Sequence, residues 1–278
     1  MQGLFSEVEG RGPRVLFIHG TATDHRTWSI QRLGLKGELE MCVYDRRGTG
    51  GSPLPPGAGF VDIPGHAADA AALLRGFSPG EPVLAVGSSF GGVVLLELLR
   101  AHPGLVHTAV LLEPPLPPSE QGPLVAAGFV EAFNAIWRSD GGPAAAEFFL
   151  RTVLGDRGFE RMPVAIRERA LAEHDGIRQD SEALVRYRLS DASLSQVKTP
   201  VVLMGGERSP SFYRPTLERL AAALPDARLE FLPGAGHMMH AEAYRRFNAR
   251  LRELAGVAPG TASGSGDAPP AGSPPRGP

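Results

Sequence analysis

Residues 83–99, Val-Leu-Ala-Val-Gly-Ser-Ser-Phe-Gly-Gly-Val-Val-Leu-Leu-Glu-Leu-Leu, admit few folds, because an apolar strand-length run passes through a glycine-flanked serine straight into an apolar helix. Gly87, Ser89 and Gly91 meet the spacing Gly-x-Ser-x-Gly. That spacing marks a sharp strand-to-helix turn in which the serine takes a strained backbone conformation that only small neighbours tolerate. Ser88 fails the same test, since its neighbours two residues away are Val86 and Phe90, whose side chains would crowd the turn. Ser89 is therefore the candidate nucleophile and Ser88 its wall. A plain glycine-rich turn shares the spacing, but the buried-looking strand before it and the apolar helix after it are the context the chemistry requires.

The rest of the chain alternates in the same way. A short possible strand at 4–8 precedes a turn and the continuous apolar run 14–18, which ends at His19-Gly20-Thr21. A short helix is expected at 28–35, a buried strand at 41–44, an alanine-rich helix at 67–77 and a further strand at 106–112. Strands alternating with helices argue for a parallel sheet covered on both faces, with ligands at the carboxyl ends of the strands. The loop Asp45-Arg46-Arg47-Gly48-Thr49-Gly50-Gly51-Ser52 is glycine-rich. It lacks the Lys-Ser/Thr ending of a P-loop and follows the second long strand instead of the first, which argues against nucleotide binding.

From 117 to 196 strand-like runs vanish and helical spacing takes over, as expected of an inserted helical cap. Alternation resumes with strands at 201–204 and 228–232, and a last helix expected to bury Tyr244, Phe247, Leu251 and Leu254. Two core segments, 1–116 and 197–256, thus flank the cap. Residues 257–278 have almost no apolar side chain to bury and are expected to form a disordered tail.

At 278 residues, 42% hydrophobic, the chain is long enough for one large domain with an insertion. Its net charge is −2 and only Lys36 and Lys198 are lysine, the arginines being scattered among 30 acidic residues without a basic run. Nucleic acid and anionic membranes are poor partners for such a surface, and a small-molecule substrate is the expectation. The single cysteine, Cys42, can form no intrachain disulfide, and nothing resembles a signal peptide or membrane span, so a reducing cytoplasm is expected. No two histidines have metal-ligand spacing and no cofactor is called for. Composition says nothing about oligomeric state.

Taken in order, His19-Gly20, the loop 45–52, the Ser89 turn and Gly236-His237 resemble the successive landmarks of the α/β-hydrolase fold superfamily, over residues 4–256. The resemblance implies an α/β fold with a mostly parallel eight-stranded sheet, a cap after the sixth strand, and a Ser, acid, His triad in that chain order. It also implies oxyanion donors at the backbone N–H groups of Thr21 and Phe90. Haloalkane dehalogenases and epoxide hydrolases of the superfamily place aspartate where this chain has Ser89.

A serine hydroxyl needs a base, and His237, behind a flexible loop after the last strand, matches the family position; His240 is the rival, expected to cap or pack at the start of the last helix. The commonest acid position follows the strand 201–204, but the sequence there reads Gly-Gly-Glu207-Arg-Ser209, with Ser209 where aspartate is expected. Glu113, at the tip of the strand 106–112, is the preferred acid and Glu207 the alternative. Pro114 is expected to keep Glu113 extended. Asp45 is expected to serve its own loop by accepting backbone hydrogen bonds. Phe90, Trp28, Trp137, Met238 and the apolar faces of the cap are candidates for an acyl pocket. The expected activity is cofactor-independent hydrolysis of an ester or related acyl bond. The alternatives are a tailoring enzyme, a cyclase or perhydrolase, using the same pocket, or a low-turnover small-molecule binding protein.

Overall fold

The computed structural model describes residues 3–117, 119 and 125–257; the side chains of 125–127 are not described, and the tail beyond 257 lies outside these residues. Seven strands, β1 (Ser6–Gly10), β2 (Arg14–Ile18), β3 (Glu40–Tyr44), β4 (Val83–Ser88), β5 (Val106–Leu112), β6 (Val201–Gly206) and β7 (Ala227–Leu232), form one sheet in the order β1-β3-β2-β4-β5-β6-β7. All neighbours are parallel except β1 and β3. The expected eighth strand is absent among the described residues. Phe5, just before β1, extends the pairing with the end of β3, its carbonyl accepting Asp45 N–H (3.0 Å) while its N–H donates to Ser52 Oγ (2.8 Å).

The central strands are apolar throughout because both faces are covered. On one face, α2 (Ile63–Phe77), α3 (Phe90–Ala101) and later α10 (Tyr213–Ala223) cover Leu16, Ala85 and Leu111. On the other, α1 (Ser29–Leu35) and α12 (Tyr244–Leu254) cover Val15, Val86 and Val110. The α12 stripe holds at Phe247, Leu251 and Leu254, but Ala243 takes the place expected for Tyr244. Tyr244 is 39% exposed, while Ala243, Phe247, Leu251 and Leu254 face the core at helical spacing. Val257, placed with the tail by composition, also packs against this core, and its N–H donates to Arg252 O (2.9 Å).

Between β5 and β6 the described residues are helical: α4 (Val125–Asp140), α5 (Gly142–Leu154), α6 (Asp156–Glu160), α7 (Val164–Ala172), α8 (His174–Arg186) and α9 (Asp191–Leu194). They enclose a separate apolar cluster around Phe133, Ala146, Leu150, Phe159 and Ile177, joined to the sheet side by Ala22. No helix among the described residues is long and apolar enough to cross a membrane.

Parallel register brings the carboxyl ends of the strands side by side: Ile18 lies beside Gly87, Ser88 beside Leu112, Leu112 beside Met204 and Gly206 beside Leu232. The strand order reverses between β2 and β4, where a crevice opens outside the strand ends. Thr21, Ser89, Glu113 and His237 follow strand ends at this edge, and Phe90 opens the helix that follows Ser89.

Candidate active site

Among the described residues Ser89 is one of three non-glycine residues with positive φ, at φ 51 and ψ −120. Its strain is held from several sides. Ser89 N–H donates to Leu112 O (2.8 Å), and a side chain at Gly87 or Gly91 would strike backbone oxygens of Gly91 or of Ile18 and His19. The close approach of β4, α3 and the loop after β2 is thus possible only with glycine at both flanking positions. Ser88 ends β4, buried, and shares with Ser89 the wall of a cavity of about 410 Å3.

His237 and Glu113 meet beside that cavity. Imidazole Nδ1 lies 2.6 Å from Glu113 Oε2, and the other carboxylate oxygen accepts Gly206 N–H (2.8 Å), both groups being buried. A carboxylate accepts only, so Nδ1 carries the imidazole proton and Nε2 is left as acceptor. Glu113 is not extended as Pro114 suggested. Its φ is +44, because its N–H donates to Met204 O (3.2 Å) while the side chain turns back to span Gly206 and His237. Tertiary contacts override the local preference here. Glu207 points elsewhere: its carboxylate accepts Gly234 N–H (3.0 Å) in an exposed setting. Ser209 Oγ, where the sequence suggested the usual acid position, is buried without a hydrogen-bond partner among the described residues.

Ser89 and His237 border the same cavity, and Tyr213 stacks on the imidazole at 4.5 Å and 10°, its hydroxyl 3.3 Å from Nε2 and donating to the Val153 carbonyl (3.4 Å). Burial, with the Glu113 carboxylate nearby, holds the Tyr213 phenol well above its usual pKa, so it keeps its proton. Sequence reading missed Tyr213. The only hint was an aromatic residue at the head of a helix on the active edge, which does not reveal stacking.

Phe90 follows Ser89 in the chain, and Gly20, just before Thr21, packs closely against the Ser89 side chain. Phe90 opens α3, so its N–H has no intrahelical acceptor, and Thr21 N–H has no partner among the described residues. The Phe90 side chain points away from the cavity, fully buried beneath the Arg46 guanidinium and edge-on to His66 (5.5 Å). Trp28 packs against Phe17 and His240 in the core, and Trp137 packs against Phe133 and His174 in the cap. Of the four named candidates, only Met238 lines the cavity; the apolar faces of the helices between β5 and β6 do line it, through Leu150, Val153 and Ile166, with Ile30 from α1. Helix rotation, not residue type, decides which bulky side chain faces inward.

His240 is a packing residue. Its ring lies 4.7 Å from Trp28, Nε2 meets Thr27 Oγ1 (3.1 Å), and burial, with His237 nearby, pushes its pKa down to about 3. His240→Ala is expected to cost roughly 2–3 kcal/mol of stability in urea unfolding while most turnover survives. His237→Ala is expected to show the opposite profile. His19 and His66 are likewise held below their usual pKa, chiefly by burial and secondly by the Arg46 charge. The unfolded chain protonates all three rings below about pH 6.5 and the folded chain does not, so stability present above that value is lost as pH falls through it. Melting temperature is expected to fall between about pH 6.5 and 5, and a flat profile would contradict the neutral assignment.

Asp24, His25 and Asp45 bring donor atoms within 4.8 Å of one another. They do not suit a cation, because Asp24 is paired with Arg26 and the Asp45 carboxylate already accepts His25 N–H (2.8 Å), His25 Nδ1–H (2.7 Å) and Gly51 N–H (2.8 Å). Asp45 ties its own loop together, as expected.

The sequence profile of the alpha/beta hydrolase family matches residues 15–250. Lipase LipV of Mycobacterium tuberculosis is 39% identical over 104 residues, 37% of this chain and 38% of that protein. The uncharacterized hydrolase YraK of Bacillus subtilis is 33% identical over 108 residues, 39% of this chain and 40% of that protein. The chain thus aligns with less than half the length of these curated relatives. Among solved structures, an esterase from Thermogutta terrifontis superposes with a TM-score of 0.76 at 24% identity, covering 90% of this chain and 92% of that one. The enol-lactonase from Burkholderia xenovorans does so at 0.75 and 21%, covering 90% and 95%. At these identities the likeness is one of fold. Together with the strand order and the strained serine turn, the profile match over most of the chain means that this protein belongs to the alpha/beta hydrolase family.

Proposed function

We propose that this protein is a cofactor-independent serine hydrolase that cleaves a small-molecule ester or related acyl bond through an acyl-serine intermediate. The observation that carries the reading is the buried Glu113–His237 pair at 2.6 Å, whose imidazole lines the cavity that also presents the strained Ser89. Ser89 Oγ attacks the carbonyl carbon as His237 Nε2 takes its proton, and Glu113 stabilises the imidazolium through Nδ1–H. The Tyr213 hydroxyl, donating to the Val153 carbonyl (3.4 Å) from a ring stacked on the imidazole, leaves the in-plane lone pair of Nε2 free for that step. Charge developing on the carbonyl oxygen meets Thr21 and Phe90 N–H. The imidazolium then protonates the leaving alcohol, and water repeats the sequence to free the acid.

Family membership and the lipase and esterase relatives support acyl-bond chemistry. The apolar wall favours a substrate with a hydrocarbon acyl part. The test is labelling with a fluorophosphonate, peptide mass mapping, and burst kinetics on p-nitrophenyl butyrate. Label on Ser89 with a burst and steady turnover is expected. Label with no steady turnover would favour the binding-protein reading, and failure to label would refute an activated serine.

A further inference from the structure

Arg46 is fully buried, yet it belongs to neither the triad nor the cavity wall. Four of the five N–H groups of its guanidinium donate to named acceptors. Nε donates to His19 O (3.1 Å), Nη2 to Gly20 O (3.0 Å), and Nη1 and Nη2 form a bidentate pair with Asp180 of α8 (2.9 and 2.8 Å). The guanidinium carbon lies 4.3 Å from the Phe90 ring centre. Asp180 Oδ2 also accepts the Thr21 hydroxyl (2.7 Å). One ion pair therefore touches Thr21, Phe90 and the cap helix α8.

The Gly20 carbonyl is the focus. Besides Arg46 it accepts Thr23 Oγ1–H (3.2 Å) and His19 Nδ1–H (2.8 Å). The His19 tautomer follows from Nε2, which accepts Arg46 N–H (3.0 Å) and so leaves the proton on Nδ1. Three side-chain donors, one cationic, thus converge on one carbonyl, and that carbonyl shares its peptide plane with Thr21 N–H. Fixing the oxygen fixes the direction of the N–H, and a cationic donor polarises the amide so that its hydrogen bond strengthens. Docking of the cap does not require such a device, because apolar residues of similar volume stabilise a buried interface about as well as an ion pair.

We infer that Arg46 and Asp180 are positioning residues for the oxyanion hole, orienting the Gly20–Thr21 peptide toward the reacting carbonyl and making its alignment depend on the seating of α8. This inference rests on the serine-hydrolase reading above. Neither residue touches substrate; both act through Thr21 N–H.

The test compares wild type with Arg46→Lys, which keeps the charge and loses the fork, and Asp180→Asn, which keeps the shape and loses the charge. Two readouts are taken: kcat and KM on p-nitrophenyl butyrate, and inhibition by trifluoromethyl hexyl ketone against methyl hexyl ketone. Only the fluorinated ketone forms a stable serine hemiketal, with its oxyanion in the hole. Each variant is expected to lose on the order of 10- to 100-fold in kcat, with KM within about twofold, and to lose affinity for the trifluoromethyl ketone in proportion while the methyl ketone is nearly unaffected. The double variant Arg46→Met/Asp180→Leu, which leaves no unpaired buried charge, serves if a single variant fails to fold, and the same losses are expected of it. Unchanged kcat, a rise in KM alone, or equal weakening of both ketones would overturn the inference. A wild-type enzyme with no preference for the fluorinated ketone would overturn the serine reading and this inference with it. A preference that survives in the variants would overturn the inference alone.

Discussion

Ser89→Ala is expected to abolish both fluorophosphonate labelling and ester turnover, with a fall in kcat on the order of 10^4 or more, while the protein stays folded. The size follows from the role, because without Oγ no acyl intermediate forms and only residual catalysis by the oxyanion donors remains. Stability is spared because the costly feature at this position is backbone. Alanine takes the same left-handed φ of 51 at a cost similar to serine's, and the constraint that imposes it comes from Leu112 O and from the glycines at 87 and 91. Mass mapping after labelling is the direct check. Ser88 lines the same cavity, so label retained there in the variant would show that the nucleophile is the neighbouring residue.

Glu113→Gln is expected to lower kcat by a comparable factor, about 10^4, with little change in melting temperature. The amide introduced by that substitution would keep one acceptor oxygen for Gly206 N–H and turn its nitrogen to His237 Nδ1. A donor there requires Nδ1 to accept, which moves the imidazole proton to Nε2 and leaves His237 unable to take the proton of Ser89. The contact survives and the chemistry does not. Glu207→Gln is expected to change kcat by less than about twofold, since its exposed carboxylate serves only Gly234 N–H, a contact an amide oxygen can keep. A kcat ranking in which Glu207 matters more than Glu113 would move the acid to the loop after β6.

The elbow was legible in the sequence because everything that makes it lies within a few residues: an apolar strand, a serine between two glycines, and an apolar helix. The alternation of buried strands and helices was legible for the same reason, as was the helical insertion between β5 and β6. Burial periodicity is a local property, set by which neighbours at one, three or four residues share a face. Glu113 could be singled out because it stands at a strand tip while Ser209 occupies the common acid position. The backbone at Glu113 shows where local reasoning stops, since Pro114 favours an extended residue and the pull of Gly206 and His237 imposes a left-handed one.

Tertiary structure alone decided how the site is held. Tyr213 stacks on a histidine 24 residues later, and Arg46 pairs with an aspartate 134 residues later. In sequence one is an aromatic residue at a helix start, the other a charged residue in a glycine-rich loop, and Asp180 is a polar position on an amphipathic helix. The same holds for the cavity wall, where Phe90, Trp28 and Trp137 turn into cores and Ile30, Leu150 and Ile166 face the cavity. Burying a guanidinium with its carboxylate requires two distant segments to deliver both charges and their remaining hydrogen-bond partners to one point. No periodicity in either segment records that demand, because the energy that satisfies it exists only once the chain has folded back on itself.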